Sequence, residues 1–301
     1  MGILITAVLL WSLYHQVNTQ LKDIGKRDWW PDETKIYLIF SLLLIPVNLG
    51  IEARKWQRLA GSATEVTYLE AVKSLLGGIA FSVITPNRIG EYPGRILFLS
   101  KHNSSRLISV SVLGGCTQLL AILLFGLAGL VYYNVRFPGW IPLVLLAGSL
   151  IVTVIVWVFY WRFEHWAPYL EKLRWLRKLR MYGQLLGRFG TREQAEILIL
   201  ALLRFAVFTL QYYLMLRWMN IAVPIMDGFF LASLFFWAMA IIPSIALAEL
   251  GIRGEVSLFL FQAFSVDKLG ILTATIGLWC INLVVPALIG SILLLRLKLL
   301  K

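Results

Sequence analysis

Residues 85–95 read TPNRIGEYPGR and lie between two strongly apolar runs. The stretch contains two prolines, two glycines and three charged residues, Arg88, Glu91 and Arg95. Backbone that leaves a helix inside a bilayer strands polar groups, and it is tolerated only where protein buries it or water reaches it. The stretch therefore predicts a turn at depth, not an ordinary crossing.

The composition is that of an integral membrane protein. Hydrophobic residues make up 59% of the chain and charged residues 15%, and several apolar runs are long enough to cross a bilayer. We expect six full spans, and the first is expected to be a retained span, not a cleaved signal peptide. The expected spans cover about 1–17, 36–53, 107–133, 139–161, 196–216 and 270–295.

The net charge of +12 is unevenly distributed. Eight of the 28 Lys and Arg residues lie in one connection, 162–195, which predicts that this connection and both termini are cytoplasmic. Within it, residues 166–189 alternate apolar and basic side chains, which favours an amphipathic helix on anionic inner-leaflet lipids. A solvated cytoplasmic linker is the alternative. Nothing indicates nucleic-acid binding, because there is no soluble basic domain.

Two apolar segments remain after the six spans are assigned. The segment 68–101 has basic residues at both flanks, Arg54, Lys55 and Arg58 before it and Lys101 and Arg106 after it. A single crossing would place one flank on the wrong face, so we expect a re-entrant hairpin from the inside. By the same reasoning, 226–266 is expected to enter from the outside. The proposed helix breakers are Pro86, Gly90, Pro93 and Gly94 in the first hairpin and Pro243, Gly251 and Gly254 in the second.

This order of elements is that of an inverted repeat within one transmembrane domain, 1–301. Residues 36–133 form the first repeat and 196–295 the second. A shift of 164 residues places Gly90-Glu91 on Gly254-Glu255, Cys116 on Cys280, Gln118 on Asn282 and Gly126 on Gly290. Interrupted apolar segments at matching places in two halves indicate the midplane site of a transporter.

The two hairpin tips are therefore expected to meet and form a binding site. Charged groups at that depth are expensive unless they are paired or face a cavity, and arginine suits phosphate. We expect Arg88 and Arg95 near Glu249 and Glu255, and Arg253 near Glu91. The alternative is that these charges only hold the hairpins together. The candidate substrate-binding residues are Arg88, Glu91, Arg95, Glu249, Arg253, Glu255, Gln118 and Asn282.

The stretch TPNRIGEYPGR after NLGIEARKW, with LGIRGE in the second half, resembles the membrane region of lysylphosphatidylglycerol synthases. The resemblance implies a stand-alone protein of the bacterial cytoplasmic (inner) membrane that moves phospholipid, or a polyprenyl-linked or related lipid, between leaflets. By motif, Pro86, Arg88, Gly90, Glu91 and Arg95 match the first block of the family, and Pro243, Gly251, Arg253 and Glu255 the second. Residues 244–249 depart from the glycine-rich form that this second block has in the family. Lipid aminoacylation would need a soluble domain, which we do not expect in this chain.

The favoured function is that of a lipid flippase for a phosphate-bearing headgroup, with membrane lipids as partners. An alternative is a membrane-embedded transferase or hydrolase with Glu91 or Glu255 as general base. A third is a non-catalytic protein that organises membrane partners through its basic helix. We expect no metal, no cofactor and no enzymatic activity, because no nucleophile, metal or nucleotide motif is found.

Overall fold

The computed structural model describes residues 32–85, 89–99, 104–170, 189–242 and 246–299, together with Trp11, Tyr14, His15 and Trp29. Within these ranges the regular elements are all helices and there is no strand. In chain order they are α1 (Lys35–Gly61), α2 (Tyr68–Ile84), α3 (Glu91–Ile96), α4 (Ser104–Arg136), α5 (Trp140–Leu170), α6 (Thr191–Trp218), α7 (Ile225–Ile241), α8 (Ala246–Phe261), α9 (Lys268–Trp279), a π-helical turn (Cys280–Val284) and α10 (Val285–Leu299).

Five of the described helical segments are long and apolar enough to cross a membrane. They confirm a multi-pass, all-α membrane protein and coincide with five of the six predicted spans. The remaining predicted span, 1–17, lies outside the described residues apart from isolated positions, as do residues 171–188 of the basic connection. The five segments are Lys35–Gly61, Arg106–Arg136, Trp140–Trp161, Thr191–Trp218 and Lys268–Arg296.

Four shorter helices occupy the two regions that were predicted to be hairpins. Helices α2 and α7 have 17 residues each, or about 25 Å, which is less than the roughly 30 Å of a hydrocarbon core. Helix α3 has six residues and α8 has 16. Helix α2 begins with a capping box, in which Thr67 Oγ1 accepts from the Glu70 N–H and Glu70 Oε2 accepts from the Thr67 N–H.

The helices of each predicted hairpin are separate elements, but some proposed breakers lie inside them. Six residues lie between the end of α2 and the start of α3, and four lie between the end of α7 and the start of α8. Pro93 and Gly94 lie inside α3, where a first-turn proline needs no N–H partner. Gly251 and Gly254 lie inside α8. Gly94 serves close packing, because an added Cβ would lie 2.9 Å from the Gly78 Cα of α2.

The long helices pack in pairs that involve both halves of the chain. Helix α1 packs against α6, α2 against α10, and α4 against α7. Glycine permits two of these contacts. A Cβ on Gly126 of α4 would lie 2.4 Å from the Trp237 ring of α7, and a Cβ on Gly290 of α10 would lie 2.0 Å from the Leu76 carbonyl oxygen of α2. At Gly290 the two backbones therefore approach closely, and at Gly126 the Trp237 side chain packs directly on the backbone of α4.

Helix α5 lies at the edge of the bundle. It packs against α4 and exposes much of its apolar surface, including Trp140, Val144, Ile151 and Ile155. Such an exposed apolar face is what a lipid-facing helix requires, whereas a water-facing helix would carry polar residues there.

Candidate functional site: a buried ion cluster beside a cavity

Glu52 is the centre of a cluster of charges inside the bundle. The residue is 2% exposed, and its carboxylate pairs with three cations from three helices. Oε2 accepts from Lys55 Nζ of α1 at 2.8 Å and from Arg204 Nη1 of α6 at 2.9 Å, and Oε1 accepts from Arg95 Nη2 of α3 at 2.9 Å. Arg95 also pairs with Glu91 one helical turn earlier. Removing charges from water costs several kcal/mol per ion, so this mutual pairing is what makes their burial tolerable.

The periodicity of α1 explains how one helix supplies the centre of the cluster. Asn48, Glu52 and Lys55 are four and three residues apart, so all three side chains lie on one helix face. Each is at most 2% exposed, whereas Arg54 and Arg58, on the other face, are exposed. The sequence analysis counted Lys55 among the basic residues that flank this span; the structure adds that Lys55 lies within α1, which continues to Gly61, and that its side chain is buried in the bundle.

Arg204 connects this cluster to the cavity. Its Nε donates to Asn48 Oδ1 at 3.0 Å, and its Nη1 donates to Glu52 and, at 3.4 Å, to Gln118 Oε1. The guanidinium lies 5.2 Å from the centre of the Phe208 ring. These contacts hold the guanidinium in one orientation. They occupy Nε and Nη1, and Nη2 has no partner among the described residues.

A chain of amides continues from Arg204 to the last span. Asn48 Nδ2 donates to Gln211 Oε1 at 3.4 Å and to Asn282 Oδ1 at 2.9 Å. Asn282 lies in the π-helical turn and donates back to the Leu278 carbonyl at 3.2 Å. π-Turns recur at functional sites because the extra residue per turn redirects side chains. The amides therefore couple α1, α6 and the π-turn through one network.

A cavity of about 240 Å³ lies beside this network, between the two halves of the chain. Its walls combine charged and amide groups with a large apolar and aromatic surface. The lining residues are Leu75, Ile79, Ser82, Glu91, Gln118, Ile122, Arg204, Phe205, Phe208, Phe236, Arg253, Leu278, Trp279, Asn282 and Leu283. A mainly apolar cavity with a few polar groups of defined orientation is the usual form of a ligand site.

The structure brings together several of the predicted site residues. Glu91, Gln118, Arg253 and Asn282 line the same cavity, and Arg95 lies behind Glu91 in the ion cluster. Gln118 of α4 and Asn282 of the π-turn, which the 164-residue shift aligns, therefore line the same cavity.

The remaining predicted residues have other positions. Arg253 pairs with Glu249 on its own helix α8, with Nη2 2.6 Å from Oε1. Glu255, half-buried on α8, lies outside the cavity lining. Arg88, Pro86 and Pro243 lie outside the described residues.

The sequence-based list omitted Glu52, Lys55, Arg204 and Asn48, which form the centre of the site. The signal for Arg204 was present, since it is a lone arginine in the apolar run ILILALLRFAVFTL, residues 197–210. An ionisable residue within a span is by itself an indication of function. Glu52 and Lys55 were hidden because they lie near the end of α1, where charges usually face water.

Residues 1–290 match the family model described as the lysylphosphatidylglycerol synthase TM region. The chain belongs to this family. The match confirms the resemblance found at TPNRIGEYPGR and links the chain to membrane-lipid function. Neither the curated proteins nor the solved structures that were compared gave a match.

Proposed function

We propose that the two interrupted regions are re-entrant hairpins that enter from opposite ends of the bundle. The ends of the first region support this. Ala71 near the start of α2, Leu99 just after α3 and Leu107 at the start of α4 belong to one apolar cluster with Trp56 and Leu59, near the end of α1. Both ends of the 68–101 segment therefore lie at the same end of the bundle.

The ends of the second region lie at the opposite end. Asp227 at the start of α7 and Gln262–Phe264 just after α8 line one pocket with Tyr132 and Phe137, at the end of α4. Along α4, Leu107 and Tyr132 are separated by about 37 Å at the rise of an α-helix, the thickness of a membrane. The second hairpin thus enters from the face opposite to the first.

The packing supports an inverted repeat. Under the 164-residue shift, α2 corresponds to α7, and α4 to the α9–α10 span. The observed pairs α2–α10 and α4–α7 are then equivalent contacts. Gly126 and Gly290, which the shift aligns, each allow the close approach in one of these pairs. With six spans and cytoplasmic termini, this is the architecture of a secondary transporter with its site at the repeat interface.

We infer that the function is the movement of a phosphate-bearing lipid headgroup between leaflets through this cavity. The observation that carries the proposal is Arg204, which lines the cavity, is held by Glu52 and Asn48, and has no partner for Nη2 among the described residues. The N–H groups of a guanidinium form charge-assisted hydrogen bonds with phosphate oxygens, and the guanidinium stays charged. The aromatic wall of Phe205, Phe208 and Phe236 offers an apolar surface to the glycerol and the first acyl carbons.

The charge balance also favours an anion over a cation. In their ordinary ionisation states, Lys55, Arg95 and Arg204 face only two carboxylates within the cluster, Glu52 and Glu91. One positive charge is therefore left for the lipid phosphate to balance. A transporter of this kind catalyses no covalent change, so we do not propose an enzymatic activity.

Reconstitution into vesicles tests this proposal. Fluorescent phosphatidylglycerol, phosphatidylethanolamine and a phosphate-free glycosylceramide are placed in both leaflets, and dithionite quenches the outer pool. We expect the wild-type protein to make nearly all of a phosphate-bearing lipid accessible, and to leave about half of the glycosylceramide protected. Arg204→Met should slow this movement at least tenfold.

The matched control is Arg217→Met. Arg217 is also a half-buried arginine of α6 beside an aromatic ring, 5.5 Å from the centre of Tyr37, but it does not line the cavity. It should move lipid at the wild-type rate. A wild-type protein that moves no phosphate-bearing lipid, or an Arg204→Met variant that moves it normally, would overturn the proposal. Covalently altered lipid in the vesicles, seen by mass spectrometry, would support the transferase or hydrolase alternative.

A further inference from the structure

A polar contact joins the end of α4 to the start of α7, where the second proposed hairpin enters the bundle. The Tyr132 hydroxyl donates to Asp227 Oδ1 at 2.5 Å, and Arg136 Nη2 donates to the same oxygen at 3.2 Å. Arg136 also donates to the Tyr132 hydroxyl at 3.2 Å, and its guanidinium lies 5.7 Å from the centre of the Tyr132 ring. Asp227 is only 7% exposed, so these two donors take the place of water at its carboxylate.

A row of five aromatic rings continues from this contact into the bundle. Tyr132 stacks on Phe230 of α7, with ring centres 4.6 Å apart, and the neighbouring Phe229 contacts Phe125 of α4 at 5.8 Å. Phe125 in turn stacks on Phe205 of α6 at 4.6 Å. Phe205 lines the central cavity, whereas Tyr132 lines a second cavity of about 410 Å³ at the end of α4. The row of rings therefore joins the wall of one cavity to the wall of the other.

The internal repeat does not account for the polar contact. The 164-residue shift makes the contact between α2 and α10 equivalent to the contact between α4 and α7. It places Asp227 on Ala63 and Tyr132 on Arg296, and an alanine side chain accepts no hydrogen bond. The glycines of close packing have counterparts in both pairs of helices, but the carboxylate does not. The Tyr132–Asp227–Arg136 contact is therefore a property of one end of the bundle.

We propose that the Tyr132–Asp227–Arg136 contact is a latch that holds the second hairpin against α4, and that the row of rings behind it closes the central cavity toward the outer face. This inference rests on the proposed lipid movement, for which it supplies the barrier on one side. Alternating access requires such a barrier, because a site that is open to both faces at once lets solutes leak through. Ring pairs and partly exposed ion pairs are individually weak, so the latch can open without unfolding the bundle.

Access of a reagent to the central cavity tests the latch. Ser82 lines this cavity, and Ser82→Cys in a background without other cysteines places a thiol on its wall. A membrane-impermeant methanethiosulfonate is added to intact cells, and its reaction with the thiol is followed by mass spectrometry. Asp227→Asn removes the charge that Arg136 contacts, and Tyr132→Phe removes the hydroxyl but keeps the ring.

The matched control is Asp267→Asn, the same exchange in the connection between α8 and α9. Asp267 caps α9 by accepting from the Gly270 N–H at 2.9 Å, and asparagine caps a helix equally well. A second control detects general loosening of the bundle. Ser257 is fully buried and does not line the central cavity, so Ser257→Cys should stay unreactive in the Asp227→Asn protein.

We expect Asp227→Asn to speed the reaction at Ser82→Cys about fivefold or more, because loss of a charge-assisted contact shifts the equilibrium toward the open state. Tyr132→Phe should have a smaller effect in the same direction, and Asp267→Asn none. Unchanged rates in both latch variants would overturn the inference, and so would an equal increase in Asp267→Asn or a reactive Ser257→Cys. Lipid movement by the wild type is measured in parallel in vesicles. If the wild type moves no phosphate-bearing lipid, the proposed function fails; if it does and the reaction rates are unchanged, only the latch fails.

Discussion

Replacing Glu52 with glutamine tests whether the ion cluster organises the bundle. Glutamine keeps the shape and one amide oxygen but removes the charge that three cations share. Arg95 keeps Glu91 as a partner, whereas Lys55 and Arg204 lose their carboxylate. Breaking a buried ion pair costs about 3–5 kcal/mol because the partner charge stays buried. With the buried Lys55 and the half-buried Arg204 left without a carboxylate, we expect the free energy of unfolding to fall by about that amount.

The measurement is the free energy of unfolding in mixed micelles, from SDS titration followed by circular dichroism. Glu196→Gln is the matched control, since Glu196 pairs with Arg58 at 3.1 Å but both side chains are nearly half exposed. Such a pair contributes about 0–1 kcal/mol.

A double variant isolates the charge effect. Glu52→Gln with Lys55→Met removes one charge of each sign, so the cluster keeps its net charge. We expect the double variant to be more stable than the sum of the single effects predicts, by about 1–3 kcal/mol, the range for residues in one network. If Glu52→Gln costs no more than Glu196→Gln, or if the two changes are additive, the account of the cluster is refuted.

Further predictions concern packing and topology. Gly290→Ala should lower the free energy of unfolding by about 1–3 kcal/mol, because the added Cβ would lie 2.0 Å from the Leu76 carbonyl oxygen. Gly148→Ala is the control and should have little effect, because nothing lies within 4 Å of its added Cβ. Equal stability of the two variants in SDS titration would contradict the α2–α10 contact. In a background without Cys116 and Cys280, cysteines at Glu65 and Ser104 should react with a membrane-impermeant maleimide from one face, and cysteines at Ala222 and Gln262 from the other. If Glu65 and Ser104 react from opposite faces, the segment between them crosses the membrane and the first hairpin is excluded.

Most of the helical framework could be predicted from sequence, because a span is a local property. Length and apolar composition within one window identified the spans that the structure confirms, and the breakers near Thr85 and Ile242 marked where α2 and α7 end. The prediction was weaker for individual glycines. Gly94 and Gly254 lie within helices, and for Gly94 it is a tertiary contact with α2, not a break, that accounts for the residue.

The centre of the site could be predicted only in part. Glu91, Gln118, Arg253 and Asn282 were found because breakers and the repeat pointed to them, and they share one cavity. The partners of Glu52 lie 43 and 152 residues away in Arg95 and Arg204, and no local pattern encodes such pairing. The π-turn at Cys280–Val284 has no recognisable sequence signal either, although it places Trp279 and Asn282 at the site.

The central claim is that a lipid headgroup enters the cavity beside Arg204, and photo-crosslinking tests it most directly. A phosphatidylglycerol with a diazirine in its headgroup is incorporated into vesicles with the protein and activated, and the adducts are mapped by mass spectrometry. We predict adducts on the cavity walls at Phe205, Phe208 and Trp279, and their loss in Arg204→Met but not in Arg217→Met. Adducts confined to the exposed face of α5, at Ile151 and its neighbours, and unaffected by Arg204→Met, would contradict the claim.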